Sequence, residues 1–307
     1  MIEVVKEFRT TDGLGAMLWK KIYAMSYAYH HNLLFEDTPF DWFLVHESDR
    51  VHNSEEYKLV MNQFNNLLYN PWSEINFDKI SDKIISNKVG KGLGVTSYGP
   101  GFVKETTHLL DAPVFNKIPN DESNNIVIHL RRGNAIPENP RYVEDSFYLN
   151  ILSKIHILFD KFDLKDCEVI ICTDAPDIPT TFKPNDSISF SEELNNTHPS
   201  GQKWMWGQPH LYTNENGEYP VTSANFDEYR KVYPKIKIYN KLSTYDSMLL
   251  MLKAKVLITG YSAFSQSAGL LSHNKVIGLS DRHGISPLFN KFKNQVGIID
   301  TNGNIIL

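Results

Sequence analysis

Cysteine is almost missing from this 307-residue chain; there are two, Cys167 and Cys172. They flank the apolar run EVIICTD, where a strand would turn their side chains to opposite faces, so the expectation is two reduced thiols of a cytosolic protein. Long hydrophobic runs are missing as well. The apolar stretches fall well short of the roughly 20 residues a membrane-spanning helix needs, and the opening MIEVVKEFRT has no basic segment followed by an apolar run. No membrane span and no secretory leader are expected, and the localisation read from this is cytoplasmic. Nor is there an excess of positive charge: 31 Lys and Arg stand against 36 Asp and Glu, a formal net charge of −5. That balance argues against nucleic acid as a partner, because a phosphate backbone selects a basic surface. Any anion this chain binds has to be held by a local site. Internal repeats, low-complexity tracts and charge blocks are absent.

Two familiar nucleotide motifs are incomplete. The turn DGLGAML has the glycines that let a backbone approach a ligand closely, Gly13 and Gly15, but the third glycine of the dinucleotide fingerprint is replaced by Leu18. GKGLGVTS at 90–97 lacks the Gly-Lys-Ser/Thr order of the ATP-binding loop, and no helical pattern follows it. NAD and P-loop chemistry are set aside on those grounds.

What is present is an α/β pattern. The length fits two domains. IEVVKEF predicts a strand, Leu18, Ile22, Met25 and Tyr29 fall at helical spacing, and Leu33 to Phe35 form a short apolar run. Residues 36–88 are mixed and mostly helical in pattern, and the glycine-dense KVGKGLGVTSYGPG predicts a loop near a domain boundary. In the second half IVIHL predicts a strand and VEDSFYLNILSKIHILFDKF one amphipathic helix, with Phe147, Ile151, Ile155 and Leu158 on one side. EVIICTD, SISFS and KIKIYN read as further strands, followed by the helix STYDSMLLMLKAK, the strand VLITG, the helix SAFSQSAGLLS and the strand NKVIGLS. Alternating helices and continuously apolar strands predict a parallel sheet covered on both faces, Rossmann-like, with functional residues at the carboxyl ends of the strands.

Two candidate anion-binding groups stand at such ends. Arg131 and Arg132 follow IVIHL directly; a guanidinium keeps its charge and offers a planar fork of donors that fits phosphate, and His129 precedes Arg131 by two residues on the same face. The alternative is that both arginines pair with carboxylates. After VLITG the chain passes Tyr261 and Ser262 into a helix, gathering backbone N–H groups with the hydroxyls of Ser262 and Ser265, although an ordinary serine N-cap would look the same. Two such groups at neighbouring strand ends suggest one diphosphate between them.

HLRRGN is similar to the His-x-Arg-Arg-x-Asp signature of the fucosyltransferase superfamily, which includes core fucosyltransferases, bacterial nodulation and α-1,2-fucosyltransferases and, more distantly, protein O-fucosyltransferases. DGLGAMLWKKIYAMSYAYHHNLLFE resembles that family's N-terminal glycine loop, helix and strand. YDSMLLMLKAKVLITGYSAFSQSAGLL resembles its Asp-led helix, strand and Ser/Thr-Phe-Ser motif, and VIICTDAPDI fits the intervening Thr-Asp strand. The resemblance implies a GT-B-like fold of two Rossmann-like domains: residues 1–120 on the acceptor side and 121–307 holding the donor, with an insertion around 191–235. It implies an inverting transfer of a sugar, fucose, from a nucleotide-sugar donor, GDP-linked, to a glycan acceptor. By position, Arg131 would bind the donor diphosphate, Arg132 would support it or the acceptor side, His129 and Asp246 would help hold the nucleotide, and Ser262, Phe264, Ser265 and Gln266 would line the phosphate end. Ser243-x-x-Asp246 is also a capping-box pattern that any helix could use.

No cofactor is implied beyond the donor, and no Asp-x-Asp occurs in the chain, so metal-independent turnover is expected with guanidinium groups as the cations. For the base that takes the acceptor proton, Glu138 is the candidate closest to the position of a catalytic carboxylate in core fucosyltransferases, with Glu144 and Asp145 further along. The family's final aspartate is Asn134 here. Residues 191–235 have no counterpart in the family, and Trp204 and Trp206 within them could stack on acceptor sugars or form the insertion's own small core. Two alternatives remain open: a related transferase with another donor sugar, such as xylose, and a non-catalytic nucleotide- or glycan-binding relative, which Asn134 would suit.

Overall fold

The computed structural model of the chain describes residues 2–6, 14–37, 39–40, 55–68, 70–86, 122–132, 135, 142–179, 181, 188–189, 211–280 and 294–307. At the N-terminus, β1 (Ile2–Lys6), α1 (Leu14–His30), β2 (Leu34–Glu36), α2 (Glu55–Asn65) and β3 (Lys83–Ser86) follow in order. The three strands form a parallel sheet in the order β2-β1-β3. Leu18, Ile22 and Met25 are buried along α1 as their spacing predicts, whereas Tyr29 is exposed. The strand β3 lies where a mostly helical pattern is expected. It is an edge strand with Ile84 and Ile85 both exposed, so no alternation of burial marks it in the sequence.

The second half holds the larger sheet. Its elements are β4 (Ser123–Leu130), α3 (Asp145–Ser153), α4 (His156–Phe162), β5 (Glu168–Thr173), β6 (Ile188–Ser189), β7 (Leu211–Asn214), β8 (Gly217–Pro220), α5 (Phe226–Val232), β9 (Lys237–Tyr239), α6 (Thr244–Lys253), β10 (Ala254–Ile258), α7 (Ala263–Leu271), β11 (Lys275–Leu279), β12 (Gln295–Ile299) and β13 (Ile305–Ile306). Seven strands run in the order β13-β12-β11-β10-β4-β5-β9, parallel throughout except for the last short strand, β13. Continuous burial of Ile126 to Leu130 and of Val169 to Thr173 is the mark of strands covered on both faces. Alternate residues enter different clusters. Val127, Ile170, Cys172 and Leu257 pack with Met248, Met251 and Leu271 of α6 and α7, while Ile126, Ile128, Ile171 and Ile258 pack with Phe147, Ile151, Leu158 and Tyr229 of α3, α4 and α5. The two cysteines fall into opposite clusters and are free thiols. The α/β class with a mostly parallel sheet between helices, on which the GT-B-like expectation rests, is what the structure has.

Three elements differ from expectation. SISFS contributes Ile188 and Ser189 to a separate antiparallel sheet, β6-β7-β8, instead of the parallel one. The single helix expected over 143–162 is two, because the N–H groups of Lys154, Ile155, Ile157 and Leu158 each donate three residues back and tighten the chain between α3 and α4. The tightening keeps both Ile155 and Leu158 buried. Finally, β12 and β13 extend the sheet beyond the last strand expected. The domain boundary anticipated near residue 120 lies outside the described residues. Among the described residues, no helix is long and apolar enough to cross a membrane.

The strand order locates the place where a ligand would enter. From β4 the chain moves outward through β5 and β9, then returns through α6 to β10 on the other side of β4 and moves outward again through β11 and β12. Neighbouring strands from which the chain departs in opposite directions leave a crevice beyond their carboxyl ends. Here those strands are β4 and β10.

The helix α1 packs onto α7 and seals this side of the sheet, sharing one hydrophobic cluster with it. The contact is backbone on backbone: a Cβ added to Gly15 would lie 2.3 Å from the Phe264 nitrogen and 2.5 Å from its Cα. Ser267 Oγ donates to the Gly15 carbonyl at 3.0 Å and fixes the crossing. A Gly15→Ala variant should therefore force the helices apart and lose about 1–3 kcal/mol, the usual penalty of overpacking. Thermal unfolding checks this, and an unchanged melting temperature would contradict the packing.

Candidate functional site: an anion cradle at the switch point

The turn after β10 is built to bring a helix start against the end of β4. At Gly260 an added Cβ would meet the His129 carbonyl oxygen at 2.7 Å and His129 Nδ1 at 2.8 Å, so only glycine permits the approach. Gly260 N–H donates to Ser265 Oγ at 3.0 Å, and that hydroxyl reaches the carbonyls of Ser262 and Gly260 at 3.2 and 3.3 Å. Tyr261 OH donates to the Ser280 carbonyl at 2.7 Å and ties the turn to the end of β11. Ser265 is fully buried and committed to holding this turn, so its hydroxyl serves the turn and not a ligand.

Across the crevice, Arg131 Nη1 donates to Ser262 Oγ at 3.2 Å. The same oxygen caps α7 by accepting from Phe264 N–H at 3.3 Å. A hydroxyl has two lone pairs and one proton; with both lone pairs engaged, Ser262 has its O–H left to give as a donor. The strand-end cation and the helix-start serine thus converge, as two strand ends holding one diphosphate require.

The electrostatics favour an anion. The first turns of α1 and α7 meet at Gly15 and Phe264, and neither contains an acidic side chain. Each helix start carries roughly half a positive charge. Half-buried Arg131 adds a whole one. Gly15, expected to let backbone approach a ligand, instead lets two helix starts approach each other.

His129 lies beneath Arg131 on the same face of β4, its ring 6.4 Å from that of Phe264. Burial, with the Arg131 charge beside it, pushes the imidazole down to about 3. Its register partner Cys172 is a thiol that burial pushes up to about 11. The floor of the site on this face is therefore neutral.

Arg132 does not share the site with Arg131, and the expectation that it binds the donor is corrected. Its side chain is wholly buried on the opposite face of the sheet. There Nη1 donates to the carbonyls of Val143 at 2.8 Å and Arg131 at 3.0 Å, and Nη2 pairs with Asp145 Oδ1. The Tyr142 ring lies 4.6 Å away. Burial works against the charge, but the Asp145 carboxylate together with the Tyr142, Tyr229 and Tyr148 phenols more than offsets it, and the guanidinium is held more firmly protonated than usual. Tyr229 OH donates to the same Asp145 oxygen at 2.8 Å, and burial raises that phenol well above its ordinary range. Both donors fall on Oδ1, so the Asp145 carboxylate braces Arg132 and Tyr229.

Of the other expected residues, Asp246 forms the capping box of α6: Ser243 Oγ accepts from Asp246 N–H at 3.0 Å and donates to Asp246 Oδ2 at 2.7 Å. It is exposed on the carboxyl edge of the sheet, the same edge as Arg131. Gln266 is buried in α7, and half-buried Phe264 borders the cradle. Glu144 is exposed at the start of α3. Gly13, Asn134, Glu138, Trp204 and Trp206 lie outside the described residues. Sequence reasoning passed over three contributors. Gly260 and Asp174 had a signal, each standing just beyond a strand's carboxyl end; Tyr229, from a distant helix, had none.

No family model matches this chain, and no curated protein matches it. Among solved structures, it is similar to E. coli heptosyltransferase WaaC with ADP, at 11% identity and a TM-score of 0.40, covering 99% of this chain and 95% of that one. It is also similar to Methanocaldococcus jannaschii UDP-GlcNAc 2-epimerase in complex with UDP-GlcNAc and UDP, at 13% identity and a TM-score of 0.27, covering 92% of this chain and 60% of that one. At such identities and scores, this chain's own residues have to carry the functional reading.

The depressed His129 pKa makes a sign-definite prediction. The unfolded chain protonates this histidine below about 6.5 and the folded chain only near 3, so protons favour unfolding between those values and stability falls as pH drops through that window. In the folded protein the His129 imidazole should stay neutral from pH 8 to 5 by nitrogen-resolved NMR. A titration midpoint near 6.5 would contradict its burial.

Proposed function

We propose that this chain is an inverting, metal-independent glycosyltransferase of GT-B-like form that moves a sugar from a nucleoside-diphosphate donor to a glycan hydroxyl. The observation that carries the reading is the Arg131–Ser262 contact at the switch point, beside two helix starts without acidic residues. Fucose as the sugar and GDP as the nucleotide come from the resemblance of HLRRGN, TDAPD and SAFSQSAG to the fucosyltransferase motifs.

The chemistry follows from where charge develops. When the bond between C1 of the sugar and the phosphate oxygen breaks, electrons pass to the leaving diphosphate and positive charge grows on the sugar. Donors already aimed at the diphosphate stabilise that state without reorganising. Arg131 supplies a fixed charge, the first-turn amides of α7 supply dipoles, and Ser262 supplies a hydroxyl proton. His129 is neutral and adds no competing cation, so it serves as floor for the nucleotide end. Asp246, on the same edge, is assigned to the nucleotide. Attack by the acceptor oxygen on the face of C1 opposite the diphosphate inverts the centre and releases one proton; Glu138 is assigned as the base that takes it, and Trp204 and Trp206 as the acceptor's stacking surface.

The test is thermal stabilisation across a panel of nucleoside diphosphates and nucleotide sugars, because a ligand at 100 times its Kd raises stability by about 2.7 kcal/mol. GDP and GDP-linked sugars should raise the melting temperature of the parent protein, and Arg131→Ala should abolish the shift with folding intact. An equal shift in both proteins would place the ligand elsewhere. Turnover should also be unaffected by EDTA; loss on chelation with recovery on adding manganese would refute the metal-independent mechanism.

A further inference from the structure

The peptide group between Arg131 and Arg132 is held at both of its polar atoms. Its carbonyl oxygen, that of Arg131, accepts from Arg132 Nη1 at 3.0 Å; its N–H, that of Arg132, donates to Asp174 Oδ1 at 3.1 Å. The peptide is planar, so holding both atoms fixes the torsion on the carbonyl side of the Arg131 Cα and with it the direction in which that side chain leaves the strand. Asp174 stands just beyond β5, next to β4 in the sheet, and is exposed. The other half of the clamp is braced from behind, since the Arg132 guanidinium is itself held by Val143, Asp145 and, through Asp145, Tyr229.

We propose that Arg132 and Asp174 are positioning residues for Arg131: together they clamp the peptide that follows it, so that its guanidinium is delivered to Ser262 and the start of α7, while neither side chain touches the bound anion. This role rests on the anion cradle proposed above. It explains why two arginines stand together although only one faces the crevice. A neutral donor in place of Arg132 would leave Asp145 without its buried counter-charge, whereas the guanidinium reaches Asp145 and two carbonyls with one rigid fork. It also gives Asp174 a function opposite to what its charge alone implies. A carboxylate close to an anion site repels the anion, so removing it as a mere source of field should tighten binding. Removing it as one jaw of a clamp should weaken binding.

The signs separate the two cases in a titration calorimetry experiment with inorganic pyrophosphate and the full chain at fixed low ionic strength. Arg132→Ala is unsuitable, because it empties a wholly buried side-chain site and breaks the ion pair to Asp145, either of which can unfold the protein. Asp174→Ala is the informative variant, since it alters an exposed side chain. It should bind pyrophosphate about tenfold more weakly, the scale of one lost hydrogen bond in a charged network. Its melting temperature should stay within about 2 °C of the parent's. Asp174→Asn keeps an acceptor oxygen but not the charge, and should restore most of the affinity. Unchanged or tighter binding by Asp174→Ala, or equal weakening in the Asn variant, would overturn the positioning role and leave the cradle standing. Failure of the folded parent protein to bind pyrophosphate at all would overturn the cradle and the role together.

Discussion

One side-chain hydrogen bond, from Arg131 to Ser262, spans the carboxyl ends of β4 and β10, the paired strands at which the path of the chain through the sheet changes direction. Most of the surrounding structure can be understood as what that contact requires. Gly260 must lack a side chain so that the turn can lie on His129, and Gly15 must lack one so that α1 can lie on α7. Ser265 gives its hydroxyl to the turn, and Ser267 gives its own to the helix crossing. All four are small residues: the glycines act through the space they leave and the serines through a hydroxyl on a short side chain. The product is a concentration of positive potential, two helix starts and a guanidinium, with no acid in either first turn to neutralise it.

The arginine pair divides its labour by strand geometry. Successive residues of a strand face opposite sides of a sheet. His129 and Arg131 therefore lie on the side of α7, while Leu130 and Arg132 lie on the side of α3 and α5, where Asp145 and Tyr229 wait. This division is legible in the sequence: the same period-two argument that puts His129 and Arg131 on one face puts Arg132 on the other. Two adjacent strand-end arginines cannot both face one crevice under that alternation.

The sheet itself could be read from its strands because they are buried on both faces, which leaves nearly uninterrupted apolar runs such as IVIHL and EVIICT. The cradle was half legible for a related reason. Its members stand at strand ends and helix starts, positions that hydrophobic periodicity marks without any knowledge of packing. Edge elements escaped, since β3 exposes both isoleucines and β13 contains two residues, and neither makes a periodic signal. Likewise, SISFS has the alternation of a strand, but alternation does not say which sheet a strand joins. Gly15 is expected from the sequence to let backbone approach a ligand closely, and that the start of α7 lies against it could be known only from tertiary packing.

The most direct measurement of the central claim is a crystal structure of the full chain grown with GDP. The diphosphate should lie between the Arg131 guanidinium and the first-turn amides of α7, within hydrogen-bond distance of both and of the Ser262 hydroxyl, with Arg132 still turned inward to Asp145. A diphosphate bound away from the ends of β4 and β10, with the Arg131–Ser262 contact undisturbed and unused, would contradict the account.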